Sequence, residues 1–179
     1  MAIRKKLWKP LTPTDDCDFI TPLDVIMQGY RVVYVEGALA LETPPKSIRA
    51  EFRTRVRQTS KNMVGTLRRW GLKGWLIHPL ISWGLLSHKI LRWLTAFFMV
   101  ALLASNLALL KAGIMYKILI FAQFIFYATA GLGLLAELGR KRLAFASTIF
   151  AFCVACLGMS CGVVKGLAGM APSTYRKEN

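Results

Sequence analysis

Leu94-Thr95-Ala96-Phe97-Phe98-Met99-Val100-Ala101-Leu102-Leu103-Ala104-Ser105-Asn106-Leu107-Ala108-Leu109-Leu110 contains no charged side chain, and the reading of this run decides the fold. Two further apolar runs follow it, Ile114 to Ala136 and Leu143 to Val164. A hydrocarbon core about 30 Å thick is crossed by about 20 helical residues. The second and third runs reach that length unaided. The first borrows Arg92-Trp93 as its interfacial anchor, and Lys117 lies near enough to the end of the second to snorkel. The expectation is a mostly α membrane protein with about three transmembrane helices, at about 94–110, 114–136 and 143–164.

Composition changes sharply where the first run begins. Residues 1–93 hold 16 of the 24 Lys and Arg and 7 of the 9 acids. The whole chain is 55% hydrophobic with a mean hydropathy of +0.44, more than a soluble domain with a charged exterior shows. Arg4, Lys5, Lys6 and Lys9 near the amino terminus are not followed by an apolar run, so no secretory signal is expected there. The positive-inside rule keeps the turn Gly139-Arg140-Lys141-Arg142 cytoplasmic, and residues 1–93 with it, at a bacterial-type inner or plasma membrane. The basic tail Thr174-Tyr175-Arg176-Lys177 disagrees with three crossings; a fourth crossing through 76–93, or a last span that re-enters, would reconcile it.

Before the membrane runs, Asp18 to Gly29 reads as a short helix, with carboxylates at its start and a glycine where a carboxyl cap belongs. Tyr30-Arg31-Val32-Val33-Tyr34-Val35 has the β-branched and aromatic composition of a strand, and Ala38 to Leu41 of a second. Pro44-Pro45 then breaks the chain. From Ser47, the residues Ile48, Phe52, Val56, Met63, Leu67 and Trp70 recur at helical spacing among cations. Between Lys46 and Lys73 nine Lys or Arg face the single acid Glu51, which reads as a solvated face beside anionic lipid headgroups. Trp75 to Trp93 mixes Trp, His, Lys and Arg with Leu and Ile, as an interfacial helix does.

Two groups of residues invite a chemical reading. Cys153, Cys156 and Cys161 lie in an apolar run and read as small hydrophobes; a zinc site needs a second ligand pair that the sequence does not offer. Asp15, Asp16 and Asp18 stand just before the first helix. They suit a helix amino terminus, where Asp accepts from unpaired N–H groups and complements the dipole. Asp16-Cys17-Asp18 also has the DxD form that holds a metal on a diphosphate, although the preceding Trp8 to Pro13 reads as a loop and not as the strand such a site follows.

The order of acid cluster, short helix, Gly-Tyr-Arg-Val-Val-Tyr strand, Pro-Pro, basic helix and membrane helices resembles the membrane-bound family 2 glycosyltransferases. The resemblance is carried by Ala2-Ile3-Arg4-Lys5, Thr14-Asp15-Asp16, Gln28-Gly29-Tyr30-Arg31-Val32-Val33-Tyr34 and Leu86-Ser87-His88-Lys89-Ile90-Leu91-Arg92-Trp93. It implies an inverting transfer in which Asp16, with Asp15 and Asp18 beside it, stands where the family has its catalytic base. Thr54-Arg55-Val56-Arg57-Gln58 falls at the family's Gln-x-x-Arg-Trp motif; Arg57 alone matches, and its guanidinium suits the departing diphosphate, with Arg55 next to it. The missing Gln and Trp argue against a cellulose- or hyaluronan-type synthase.

The resemblance further implies a small α/β remnant of a glycosyltransferase-A-type domain whose nucleotide-binding half lies outside these 179 residues, as in a truncated gene product or one half of a split pair. The divisions are an acceptor-side catalytic segment over 1–45, basic and interfacial helices over 46–93, membrane helices over 94–170 and a polar tail over 171–179. A divalent metal (Mg or Mn) is expected for the complete enzyme and none for this chain alone. The expected partners are the lipid bilayer, a separate donor-binding chain, and a nucleotide sugar in the complete enzyme only, with no nucleic acid. The competing expectation is non-enzymatic: a small basic membrane protein that binds anionic lipid or a partner through the 46–73 helix.

Overall fold

The computed structural model describes residues 1–41, 47–139, 141 and 143–172. Pro44-Pro45, Lys46, Arg140, Arg142 and the tail residues 174–177 lie outside them. Residues 1–4 are irregular and lead into a 3₁₀ turn, Lys5–Leu7. Helix α1 spans Cys17–Met27. Its end follows the expected chemistry: Gly29 takes φ +82°, open to glycine without a Cβ penalty, and its N–H donates to the Ile26 carbonyl at 2.9 Å.

The expected strands are absent: among the described residues no strand forms. Tyr30–Val35 and Ala38–Leu41 are irregular and exposed, with Tyr34 89% and Leu39 92% accessible. An isolated pair of short strands is marginal in water, and nothing described here offers them a third. Where an α/β remnant was expected, residues 1–41 form helix, turn and loop.

Helix α2, Ile48–Gly65, begins where Ser47 Oγ accepts from the Ala50 N–H at 3.2 Å. It runs into a π-helical turn, Thr66–Trp70, then α3, Gly71–Ile77. Pro79 opens α4, Pro79–Leu85, because proline cannot continue the preceding helix but suits a first turn. A second π turn, Leu86–Ile90, and the short α5, Leu91–Trp93, complete a stretch that the sequence suggested as one interfacial helix. Ile20, Leu23, Trp70 and Leu85 form the core between these elements. Trp70 Nε1 donates to Ser82 Oγ at 2.9 Å, which satisfies the indole where it is 1% exposed.

Three long apolar helices follow: α6, Thr95–Ala108; α7, Ile114–Leu138; and α8, Ala144–Leu167. The last two are long and apolar enough to cross a membrane, and a third span is available only if 79–93 and α6, bent by 66°, act together. With 14 residues, α6 alone reaches about 21 Å at 1.5 Å per residue. Asn106 Nδ2 donates to Gln123 Oε1 at 3.0 Å between α6 and α7.

The basic α2 packs lengthwise on the second half of α8. Gly158, Gly162 and Gly166 make this possible, since a Cβ there would stand 2.9 Å from Arg55 Cβ, 2.7 Å from Thr59 Cβ and 2.9 Å from the Ser60 carbonyl, respectively. Small residues four apart let two helix backbones approach closely. The face of α2 that carries Val56, Thr59 and Ser60 is thus buried.

Candidate functional site

The loop that bears the acids is clamped by cations from α2 and the first π turn. Lys61 Nζ donates to the Pro13 carbonyl at 2.9 Å, Arg69 Nη2 to the Pro10 carbonyl at 2.7 Å and Arg68 Nη2 to Thr12 Oγ1 at 2.7 Å. Asp15 is the anchor of this clamp. Its carboxylate accepts from the Thr12 N–H at 2.8 Å, from Arg69 at 3.1 Å and from Arg68, with its side chain fully buried. Arg69 also lies 3.4 Å from Asp24. Burial pushes the Asp15 carboxyl up, but the Thr12 N–H and hydroxyl and the two guanidiniums outweigh it, and its pKa falls below the ordinary value. Much of the positive charge that the sequence suggested for lipid is spent inside the protein.

Asp16 has a different environment. It stands at the amino-terminal cap position of α1, yet its side chain makes no cap bond, so the cap explanation accounts for its place and not for its carboxylate. Burial and then the charge of Asp18 raise its pKa; Arg57, the adjacent Asp18 N–H and Lys61 counter only part of this. The carboxyl lines a cavity of about 250 Å³ with Asp18 and Phe19. Arg55, Gln58, Thr59 and Asn62 of α2 form one side of it. Lys89, Arg92 and Trp93 close another, and Met159 of α8 forms the remaining wall. A second, larger hollow of about 370 Å³ between Ile26, Val32, His78 and Ile81 contains no carboxylate and so no comparable chemistry.

The structure thus brings together Asp16, Asp18 and Arg55 at one cavity and assigns Asp15 to the clamp. Arg57 acts on Asp16 through its charge without lining the cavity, and Arg55 is shared with Glu51 at 2.5 Å. Lys89, Arg92, Asn62 and Met159 were missed as site residues. The string Ser87-His88-Lys89-Ile90-Leu91-Arg92-Trp93 did carry the family resemblance, and a π turn places Lys89 where it reaches the cavity.

Asp16, Cys17 and Asp18 offer three ligand atoms within 4.8 Å of one another. They do not fit Mg or Mn, which take hard oxygen ligands. The Cys17 thiol, bonded to Asp18 Oδ1 at 3.6 Å, has its pKa raised by burial and by Asp18, so it stays protonated. Two carboxylates, one of them already partly offset by Arg57 and Lys61, make a poor cage.

The family model described as glycosyl transferase family group 2 matches residues 2–138. The chain belongs to that family. No curated protein and no solved structure matches it significantly. A glycosyltransferase-type function follows at this coarse level, and the matched region ends on the last residue of α7, leaving α8 outside it.

Proposed function

We propose that the chain is the acceptor-side and membrane module of a glycosyltransferase that moves a sugar, with inversion, from a nucleotide sugar to a glycan or lipid-linked acceptor. It works with a donor-binding domain supplied by the same polypeptide or by a partner chain, and the divalent metal of the complete enzyme comes with that domain. The observation that carries the reading is Asp16, a half-buried carboxyl with raised pKa at a cavity rimmed by cations and free of the clamp that holds its neighbour. The exposed, strand-like Tyr30–Val35 supports the need for a donor-binding domain, because its consecutive apolar residues suit a strand covered on both faces.

In this reading Asp16 takes the proton of an acceptor hydroxyl as that oxygen attacks the anomeric carbon. The bond from that carbon to the diphosphate breaks, and the electron pair leaves with the nucleoside diphosphate. Arg57, assisted by Arg55, offsets the charge that collects on the leaving group. The elevated pKa brings the base closer to working pH, where proton transfer is most effective.

The test replaces Asp16 by Asn in the chain reconstituted with its donor-binding domain. Loss of general-base catalysis lowers the transfer rate by about 10²–10⁴-fold. An unchanged rate removes Asp16 from this role. The purified chain on its own is expected to transfer no sugar, and sustained turnover by it would overturn the modular reading.

A further inference from the structure

Within that reading of Asp16 as base, we infer that the acceptor is a membrane lipid whose headgroup bears both a phosphate and a free hydroxyl. Lys89 and Arg92 hold the phosphate, and the hydroxyl is turned toward Asp16.

Charge supplies the first step. Among the described residues neither Lys89 nor Arg92 makes an ion pair within 4 Å, although Asp16 acts on Lys89 from across the cavity, whereas Arg55, Arg68 and Arg69 are each engaged directly by an acid. Lys89 lies over the Phe19 ring at 5.4 Å, which fixes its ammonium at the cavity without neutralising it. Two cations side by side at a cavity mouth attract a phosphate.

A carboxyl without a cap bond supplies the second. Asp16 lines the same cavity, its side chain makes no cap bond to α1, and it can accept from a hydroxyl placed beside it. A choline headgroup has no hydroxyl to donate.

The walls supply the third. Trp93 is 3% exposed and its carbonyl accepts from Ser160 Oγ of α8 at 2.8 Å, one residue from Met159. The cavity is therefore walled by a helix long and apolar enough to cross a membrane, and α6 starts two residues beyond Trp93. A volume of about 250 Å³ has room for a phosphate with a short polyol. The chain of such a lipid stays among the apolar helices while its headgroup enters.

Transfer then runs in balance: the headgroup oxygen bonds to the anomeric carbon of a nucleotide sugar, its proton passes to Asp16, and the nucleoside diphosphate leaves. The product is a glycosylated phospholipid.

Binding is measured without donor, so it is independent of the transfer assay on Asp16→Asn. Tail-labelled phosphatidylglycerol is bound to the full chain in neutral detergent micelles at fixed ionic strength and displaced by unlabelled competitors. Phosphatidylglycerol is expected to displace it, and phosphatidylcholine is not. Phosphatidylethanol, equal in charge but lacking the hydroxyl, is expected to compete at least fivefold more weakly; equal competition overturns the hydroxyl contact. Glycerol 3-phosphate competing as well as the lipid overturns the lipid in favour of a soluble phosphorylated acceptor. Lys89→Gln with Arg92→Gln should weaken binding at least tenfold, whereas Lys5→Gln with Lys6→Gln, which removes equal charge elsewhere, should not. Equal losses in the two double variants reduce the effect to general attraction and overturn the site.

Discussion

Helices α7 and α8 are close to twins in composition, with 25 and 24 residues and the same mean hydropathy of 2.0, but they are used differently. Over the apolar window of each, 11% of α7 is buried inside the protein against 33% of α8. Gly131 of α7 faces open space and Gly133 lies against Ala146 of α8, while Gly158, Gly162 and Gly166 of α8 each lie against α2. Helix α7 closes the region matched by the family, and α8 lies beyond it although Met159 forms a wall of the cavity. Hydropathy identifies a helix that can cross a bilayer; the spacing of small residues identifies the one that also serves as a scaffold.

The largest way to break this contrast is to add volume on each helix. Gly162→Leu forces a side chain into Val56 and Thr59 and is expected to cost about 3 kcal/mol, the upper end for overpacking a close contact. Gly131→Leu meets nothing and should stay within about 0.5 kcal/mol of the parent. Thermal unfolding in detergent, followed by circular dichroism, reads both, and equal melting of the two variants would show that α8 is not the scaffold.

Next in size is the clamp that α2 carries. Asp15→Asn leaves Arg68 and Arg69 without their acid. Because the Arg68 and Arg69 side chains are 41% and 20% exposed, the cost is discounted to about 1–2 kcal/mol from that of a wholly buried pair. Smaller again are single hydrogen bonds on the twin helices. Ser160→Ala on α8 orphans the buried Trp93 carbonyl and should cost about 1 kcal/mol. Gln123→Leu on α7, which loses the Asn106 bond, should cost about 0.6 kcal/mol, the average for polar contacts between membrane helices. A reversed order would mean that α7 carries more of the tertiary structure than its exposure indicates.

The apolar helices were legible because length and hydropathy are local: the runs 114–136 and 143–164 became 114–138 and 144–167. The clamp was not, because Asp15 meets Arg68 and Arg69 across more than fifty residues and no spacing rule connects them. Tyr30–Val35 misled in the opposite direction: its composition is that of a strand, but a strand exists only with a partner. The glycine spacing at 158, 162 and 166 was visible and was hidden by reading the run for hydropathy alone. It also bears on topology. Three full crossings after Trp93 separate α2 from the end of α8, yet the two lie side by side. With α6 only 14 residues long, crossings by α7 and α8 alone keep residues 1–93 and the end of α8 on one side, and they reconcile the basic tail at the expense of the turn at 139–142.

The finest test is one of sign, on the two adjacent acids that α2, held against α8, separates into clamp and cavity. The Asp15 carboxyl is lowered below 3.8, so it stabilises the fold above its unfolded pKa, and that stability is lost as pH falls through the folded value. The Asp16 carboxyl is raised above 3.8. Its favourable contribution is therefore complete below the unfolded pKa and is lost as pH rises through the folded one, so its ionised form at neutral pH costs stability. Asp16→Asn should melt at a higher temperature than the parent at neutral pH, and the difference should vanish below 3.8, where both side chains are neutral. Asp15→Asn should melt lower at neutral pH, with its deficit shrinking in acid. The transfer rate of the complete enzyme should rise with pH along a limb centred above 3.8, since only ionised Asp16 accepts a proton. A stabilised, inactive Asp16→Asn is the pattern of a carboxylate kept for chemistry at some expense to the fold. An Asp16→Asn protein that melts below the parent at neutral pH would return Asp16 to a structural role.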